Sequence, residues 1–120
     1  MKYISTRDNT KEYNFEQVFI KGLADDGGLY VPKLLKKFST EELLKFKNLN
    51  YNALSTEIIT LFLEDFISKE DLSSLINKSY STFREKEVVK ISSIGEIKLL
   101  ELFHGPTLAF KDVAMQLIGN

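Results

Sequence analysis

Residues 101–112 are the part of the chain best suited to chemistry, because a predicted strand passes there through a turn into a predicted helix. Gly105 and Pro106 predict a tight, rigid turn. Thr107 can cap the following helix, which places Lys111 in the first helical turn. A cation is disfavoured at the positive end of a helix dipole, so such a lysine is more readily the neutral amine. The neutral amine attacks a carbonyl carbon to make a Schiff base, and Lys111 is therefore a candidate nucleophile.

Several roles for these residues remain open on the residue types alone. Ala109 and Phe110 are apolar neighbours that would favour the neutral form of Lys111. Alternatively, Lys111 is an exposed residue that pairs with Asp112 or with a nearby glutamate. Asp112 itself is typical of the acids that a helix dipole favours at the N-terminal end. His104 is more typical of a loop residue bonded to the backbone than of a catalytic base.

The composition narrows the class of protein. A chain of 120 residues has the length of one domain, and 43% hydrophobic with 28% charged residues is typical of a globular protein. A formal net charge of −1 argues against a nucleic-acid partner. Cysteine is absent and His104 is the only histidine, so no metal site is expected. With no apolar run for a membrane span and no signal peptide at the start, a soluble, cytoplasmic protein is expected.

Four helices are predicted ahead of the lysine segment. Three of them begin with a capping pattern, in which a polar residue is followed three positions later by Gln, Glu or Asp. These patterns are Asn14 with Gln17, Ser39 with Glu42, and Ser68 with Asp71. The longest helical pattern runs over residues 52–66 and has a broad apolar stripe, and residues 29–31 form a short extended piece. Residues 1–82 are therefore expected to form a mainly helical N-terminal domain.

The pattern changes after Phe83. Residues 88–92 and 97–102 are β-type runs whose short connection favours a hairpin, although two strands of a mixed sheet would give the same pattern. A helical periodicity follows from about Leu108. Two strands form only a small sheet for the following helix to pack against. Residues 83–120 are therefore expected to be the incomplete beginning of an α/β domain, and the chain a fragment of a larger protein.

Two separated segments resemble the threonine synthase family. The run LELFHGPTLAFKD at residues 100–112 is similar to the lysine segment of that family. Residues 3–7 and 22–32 are similar to its N-terminal domain. The resemblance implies an α/β fold of the tryptophan-synthase-β type, which is fold type II of the pyridoxal-phosphate (PLP) enzymes. It also implies a cytoplasmic lyase that is a monomer or a homodimer.

The same resemblance implies roles for two site residues. Lys111 would carry the cofactor PLP as a Schiff base and would act as the catalytic acid and base, while Phe110 would line the cofactor pocket. The partner would be the small molecule O-phospho-L-homoserine, converted with water to L-threonine and phosphate. Neither a nucleic acid nor a membrane is an expected partner.

The chain also departs from the family pattern. Asp8 stands where relatives often have glycine after the Ser-Thr-Arg start. Gly27 and Gly28 precede an extended piece and not a helix, so they lack the usual context for binding an anion. The loops that hold the PLP phosphate and the substrate carboxylate are expected beyond Asn120. Residues 1–120 alone are therefore expected to be inactive.

Other functions remain open. A threonine-synthase-like phospho-lyase would use the same lysine and substrate and would release a keto acid and ammonia. Threonine dehydratase and cysteine synthase share the fold type, but residues 104–107 are not expected in them. A non-catalytic helical module that binds a partner would not depend on Lys111. A truncated, nonfunctional product is the last alternative.

Overall fold

The computed structural model describes residues 1–120 as five helices and four short strands. In chain order the elements are β1 (Tyr3–Ser5), α1 (Phe15–Lys21), β2 (Tyr30–Pro32), α2 (Thr40–Phe46), α3 (Tyr51–Leu63), α4 (Lys69–Tyr80), β3 (Lys90–Ile94), β4 (Ile97–Glu101) and α5 (Asp112–Ile118). None of the helices is long and apolar enough to cross a membrane. The helical first part and the hairpin with one helix in the second part agree with the predicted order.

Three helix starts are confirmed by their hydrogen bonds. The side chains of Asn14 and Ser39 each accept from the backbone N–H three residues on and complete a capping box. Ser68 Oγ likewise accepts from Asp71 N at 3.0 Å. The predicted bounds of the longest helix are wrong: with Asn50 as its N-cap, α3 begins at Tyr51, one residue before the predicted start, and it ends at Leu63, three residues before the predicted end. Local capping chemistry therefore fixes most of the helix starts.

The strands form two separate antiparallel pairs. β1 pairs with β2, with Tyr3 opposite Pro32 and Ser5 opposite Tyr30. β3 and β4 form the predicted hairpin, and Gly95 turns it with a φ of +60°. The first strand of the hairpin begins later than predicted. Val88 is instead 1% exposed and packs into the core with a φ of +60°.

One apolar core joins both parts of the chain. It consists of Leu63, Leu72, Ile76, Tyr80 and Val88, and Leu117 of α5 packs against it. Ile76 has no exposed surface at all. The helix that follows Lys111 is therefore anchored on the helices α3 and α4 through apolar contact.

Candidate active site

The loop between β4 and α5 reverses the chain just before Lys111. β4 ends at Glu101 and α5 begins only at Asp112, so the predicted helix start near Leu108 is wrong. Leu108 N donates to Gly105 O at 3.2 Å, and Leu108 has a φ of +64°. A residue in this left-handed region cannot begin an α-helix, and this delays the helix by four residues.

The predicted place of Asp112 at the start of a helix is confirmed, whereas the predicted helix cap by Thr107 is wrong. Thr107 does not cap α5: its backbone N–H donates to Asp112 Oδ2 at 2.7 Å, and its hydroxyl donates to Asp112 Oδ1 at 2.8 Å. Asp112 is the first residue of α5, as the dipole argument predicts for an acid, and it is only 3% exposed. Burial raises the pKa of Asp112, but the hydrogen bonds from Thr107, Gln116 and the Leu108 backbone together outweigh that effect and leave the pKa below its ordinary value. The ionised carboxylate thus closes the loop on itself.

Gly105 leaves no room for a side chain beside this carboxylate. A Cβ atom built on Gly105 would overlap Asp112 Cβ and Oδ2 and would lie 2.8 Å from Asp112 Cγ. The backbone of Gly105 adopts no left-handed φ, so the requirement for glycine here is one of space. Pro106 then leads into Thr107, and the predicted tight turn is confirmed.

Lys111 is the N-cap residue of α5 and has an exposed side chain. Its carbonyl accepts from Met115 N at 2.8 Å, so the backbone of Lys111 is held by the helix while the amine is free. The alternative of an exposed Lys111 that pairs with Asp112 or a glutamate is confirmed in its exposure and wrong in its pairing, because Lys111 forms no ion pair. The predicted apolar surroundings are also lacking, since Ala109 is exposed and Phe110 is 66% exposed.

His104 forms a pair with a glutamate that sequence reasoning missed. His104 is 9% exposed, and its Nε2 lies 2.8 Å from Glu101 Oε2. Contacts with the Ser92 hydroxyl and with the His104 ring lower the pKa of Glu101. The backbone carbonyl of His104 also accepts from Arg84 N at 2.9 Å. The pair fixes the first part of the loop, and the three-residue spacing of Glu101 and His104 was its only signal in the sequence.

The back of α5 is tied to α4 by polar contacts. Tyr80 donates its hydroxyl to Val113 O at 2.8 Å, and burial raises the pKa of Tyr80 well above its ordinary value. Asn120 Nδ2 donates to Ser79 Oγ at 3.3 Å. These contacts span 33 and 41 residues, so the local sequence carries no signal for them.

The Tyr80 hydrogen bond gives a testable stability prediction. Tyr80→Phe removes the donor to Val113 O and is expected to lower the free energy of unfolding by about 1–2 kcal/mol. Tyr30→Phe is the matched control, because the buried Tyr30 hydroxyl has no hydrogen-bond partner. That change is expected to leave stability unchanged or to raise it slightly. Denaturant unfolding checks both, and equal losses in the two variants would contradict the prediction.

The glycine-rich turn near the N-terminus has a structural explanation. Asp26 Oδ1 accepts from Ser5 Oγ and from Gly28 N, both at 2.8 Å. A Cβ on Gly28 would overlap Ser5 Oγ and lie 2.9 Å from Asp26 Oδ1. Arg7 Nη1 donates to Asp26 O at 3.0 Å. The space above Gly28 is thus filled by side chains of the chain itself, and the turn is not an open anion cradle.

The site is incomplete within residues 1–120. No surface cavity is lined by Lys111 or Phe110. No group of three or more His, Asp or Glu side chains is placed to hold a metal ion. The reactive group at this position is the primary amine of Lys111, at the end of a loop that the Thr107–Asp112 hydrogen bonds hold in place (the braced loop). An amine of this kind can bind an aldehyde covalently.

This architecture is that of the N-terminal part of a fold type II PLP enzyme. It matches the PLP-bound threonine synthase from Brucella melitensis with a TM-score of 0.93 and 39% identity, over 98% of this chain and 26% of that chain. The family described as "Threonine synthase N terminus" matches residues 2–80, and the chain belongs to this family.

Curated relatives agree with this assignment. A threonine synthase from Pseudomonas aeruginosa is 42% identical over 121 residues, which cover all of this chain and 26% of the relative. A "Threonine synthase-like 2" from Homo sapiens is 38% identical over 117 residues, which cover 96% of this chain and 24% of the relative. The chain therefore spans about a quarter of the length of the relatives it matches.

Proposed function

We propose that this chain is the N-terminal quarter of a longer threonine synthase, here called the full-length protein. The proposed reaction converts O-phospho-L-homoserine and water to L-threonine and phosphate. The observation that carries the proposal is Lys111: an exposed, unpaired amine at the end of a braced loop, in a chain of the threonine synthase N-terminus family. About 40% identity to a threonine synthase over the whole chain supports the same activity.

Lys111 and Phe110 fit the aldehyde end of PLP. When bound, PLP supplies an electron sink that stabilises negative charge on carbon atoms of the substrate. The Nζ atom of Lys111 is the group that would bind the aldehyde carbon, and its lack of a carboxylate partner leaves it free to do so. Phe110, directly before it and 66% exposed, would lie against the cofactor ring.

Lys111 is also suited to move protons. Its backbone is held by the first turn of α5, and its flexible side chain lets Nζ swing between neighbouring atoms. Once substrate has displaced it, the free Nζ would accept a proton from a substrate carbon and return it at the next position. One residue thus provides both the covalent anchor and the acid and base.

The other end of the cofactor needs residues outside this chain. The filled turn at Gly28 has no room for a phosphate group. The first N–H groups of the seven-residue helix α5 already donate to backbone carbonyls, as Asp112 N does to Ala109 O at 3.0 Å and Ala114 N to Lys111 O at 3.1 Å. The phosphate and substrate ligands are therefore proposed to lie in the rest of the full-length protein. The division into residues 1–82 and 83–120, the cytoplasmic location and a monomeric or homodimeric state belong to the same proposal.

Product analysis tests this function. The full-length protein, supplied with PLP and O-phospho-L-homoserine, is expected to release L-threonine and phosphate in equal amounts. Because relatives at about 40% identity include both a threonine synthase and a threonine synthase-like protein, the rival phospho-lyase is assayed in parallel. A keto acid and ammonia in place of threonine would overturn the proposed reaction and keep the role of Lys111. Turnover to neither set of products would overturn both.

A further inference from the structure

We propose that the carboxylate of Asp112 is the group that positions Lys111, by fastening the two ends of the loop 107–112 to each other. This inference rests on the proposed function, in which the Nζ atom of Lys111 is the nucleophile. Asp112 touches no reacting atom in this account and is a positioning residue.

The geometry of the loop supports this role. Thr107 donates its N–H at 2.7 Å and its hydroxyl at 2.8 Å to the two different oxygens of Asp112. Two bonds to one carboxylate fix both the distance and the orientation of Thr107 relative to the start of α5. Only four residues, 108–111, lie between these anchors, and Lys111 is the last of them.

The loop needs such a fastening because its backbone is strained. Leu108 has a φ of +64°, a conformation that a leucine adopts only when its surroundings enforce it. Residues 106–111 are all exposed, so apolar packing does not hold the loop. Asp112, in contrast, is 3% exposed and pairs with no cation. Its buried charge is therefore balanced by Thr107, by Gln116 at 3.5 Å and by the backbone around the helix start.

The consequence concerns how Lys111 meets its cofactor. A fastened loop leaves the side-chain rotations of Lys111 as its main remaining freedom, so the amine is oriented before PLP arrives. An unfastened loop would hold the backbone of Lys111 only through its carbonyl, which accepts from Met115 N at 2.8 Å, so the Cα of Lys111 could move as well. The rate at which Lys111 captures PLP should then fall, while the chemical nature of the amine stays the same.

The test measures capture of PLP by the full-length apoprotein. PLP is added, and the rate at which visible absorbance appears is followed at a temperature well below unfolding. Sodium borohydride then fixes the linkage for quantification at Lys111. Asp112→Asn loses the acceptor for one Thr107 donor and is expected to slow capture about 10-fold to 100-fold. Thr107→Val removes only the hydroxyl and is expected to slow it about tenfold, whereas Thr107→Ser stays within about twofold.

A core variant separates positioning from loss of stability. Ile76→Val lowers stability without touching the loop and is expected to capture PLP at the wild-type rate. If Thr107→Val captures PLP at the wild-type rate, the inference about Asp112 is wrong and the proposed function stands. The same holds if Ile76→Val slows capture as much as Thr107→Val does. If the wild-type protein captures no PLP, the proposed function itself fails. If Asp112→Asn does not fold, the other two variants test the inference: slow capture by Thr107→Val with near wild-type capture by Thr107→Ser supports it, and equal rates contradict it.

Discussion

Lys111→Ala in the full-length protein is expected to abolish covalent binding of PLP and to lower kcat by about 10³-fold or more. Lys111 is proposed to supply both the nucleophilic amine and the group that moves protons, and an alanine can do neither. It is exposed and forms no ion pair, so the change should cost the fold little. Steady-state kinetics, visible absorbance and the melting temperature measure these effects together.

Lys45→Ala is the matched control for that experiment. Lys45 is an exposed lysine on α2 and is not part of the loop. It should keep the wild-type kcat and absorbance. If Lys111→Ala behaves like Lys45→Ala, the chain is better described as a helical module that binds a partner.

Gly105→Ala is expected to lower kcat/KM about 100-fold, because the new methyl group displaces the loop that carries Lys111. The added Cβ would overlap Asp112 Cβ and lie 2.8 Å from Asp112 Cγ, whereas carbon atoms pack at about 3.5–4.0 Å. Neither atom belongs to a flexible side-chain end, since Asp112 is held at both oxygens by Thr107. The overlap can therefore be relieved only by moving the backbone on one side.

Gly95→Asn provides the comparison for Gly105→Ala. Gly95 turns the β3–β4 hairpin at a φ of +60° with open space around it, and asparagine tolerates that conformation. Its kcat/KM should match that of the wild-type protein. Full activity of Gly105→Ala would show that the close packing of Gly105 on Asp112 is dispensable for the site.

Local chemistry made the helix starts predictable. Asn14, Ser39 and Ser68 cap their helices through bonds to residues three positions away, so a short window of sequence holds all the information. The hairpin followed from its alternation and short turn in the same way. The start of α5 could not be predicted from such a local pattern. A buried aspartate and a leucine at positive φ replaced the expected threonine cap, and neither leaves a periodic pattern.

Contacts between distant parts of the chain were beyond the sequence. Strand β1 has three residues and pairs with β2, almost thirty residues later. Tyr80 reaches Val113 across 33 positions, and periodicity predicted only that Tyr80 faces inward. Lys111 itself was identified from the residues as a candidate, but its role came from the resemblance. Its exposure contradicts the expectation of apolar surroundings, which other parts of the full-length protein would have to supply.

Reduction of the full-length protein with sodium borohydride in the presence of PLP, followed by peptide mapping, shows which residue binds the cofactor. Borohydride converts the link between an amine and PLP to a stable bond, so the label marks the residue that holds the cofactor. One pyridoxyl group per chain is expected, on the Nζ atom of Lys111. A label on another lysine, or no label in a protein that makes threonine, would contradict this expectation.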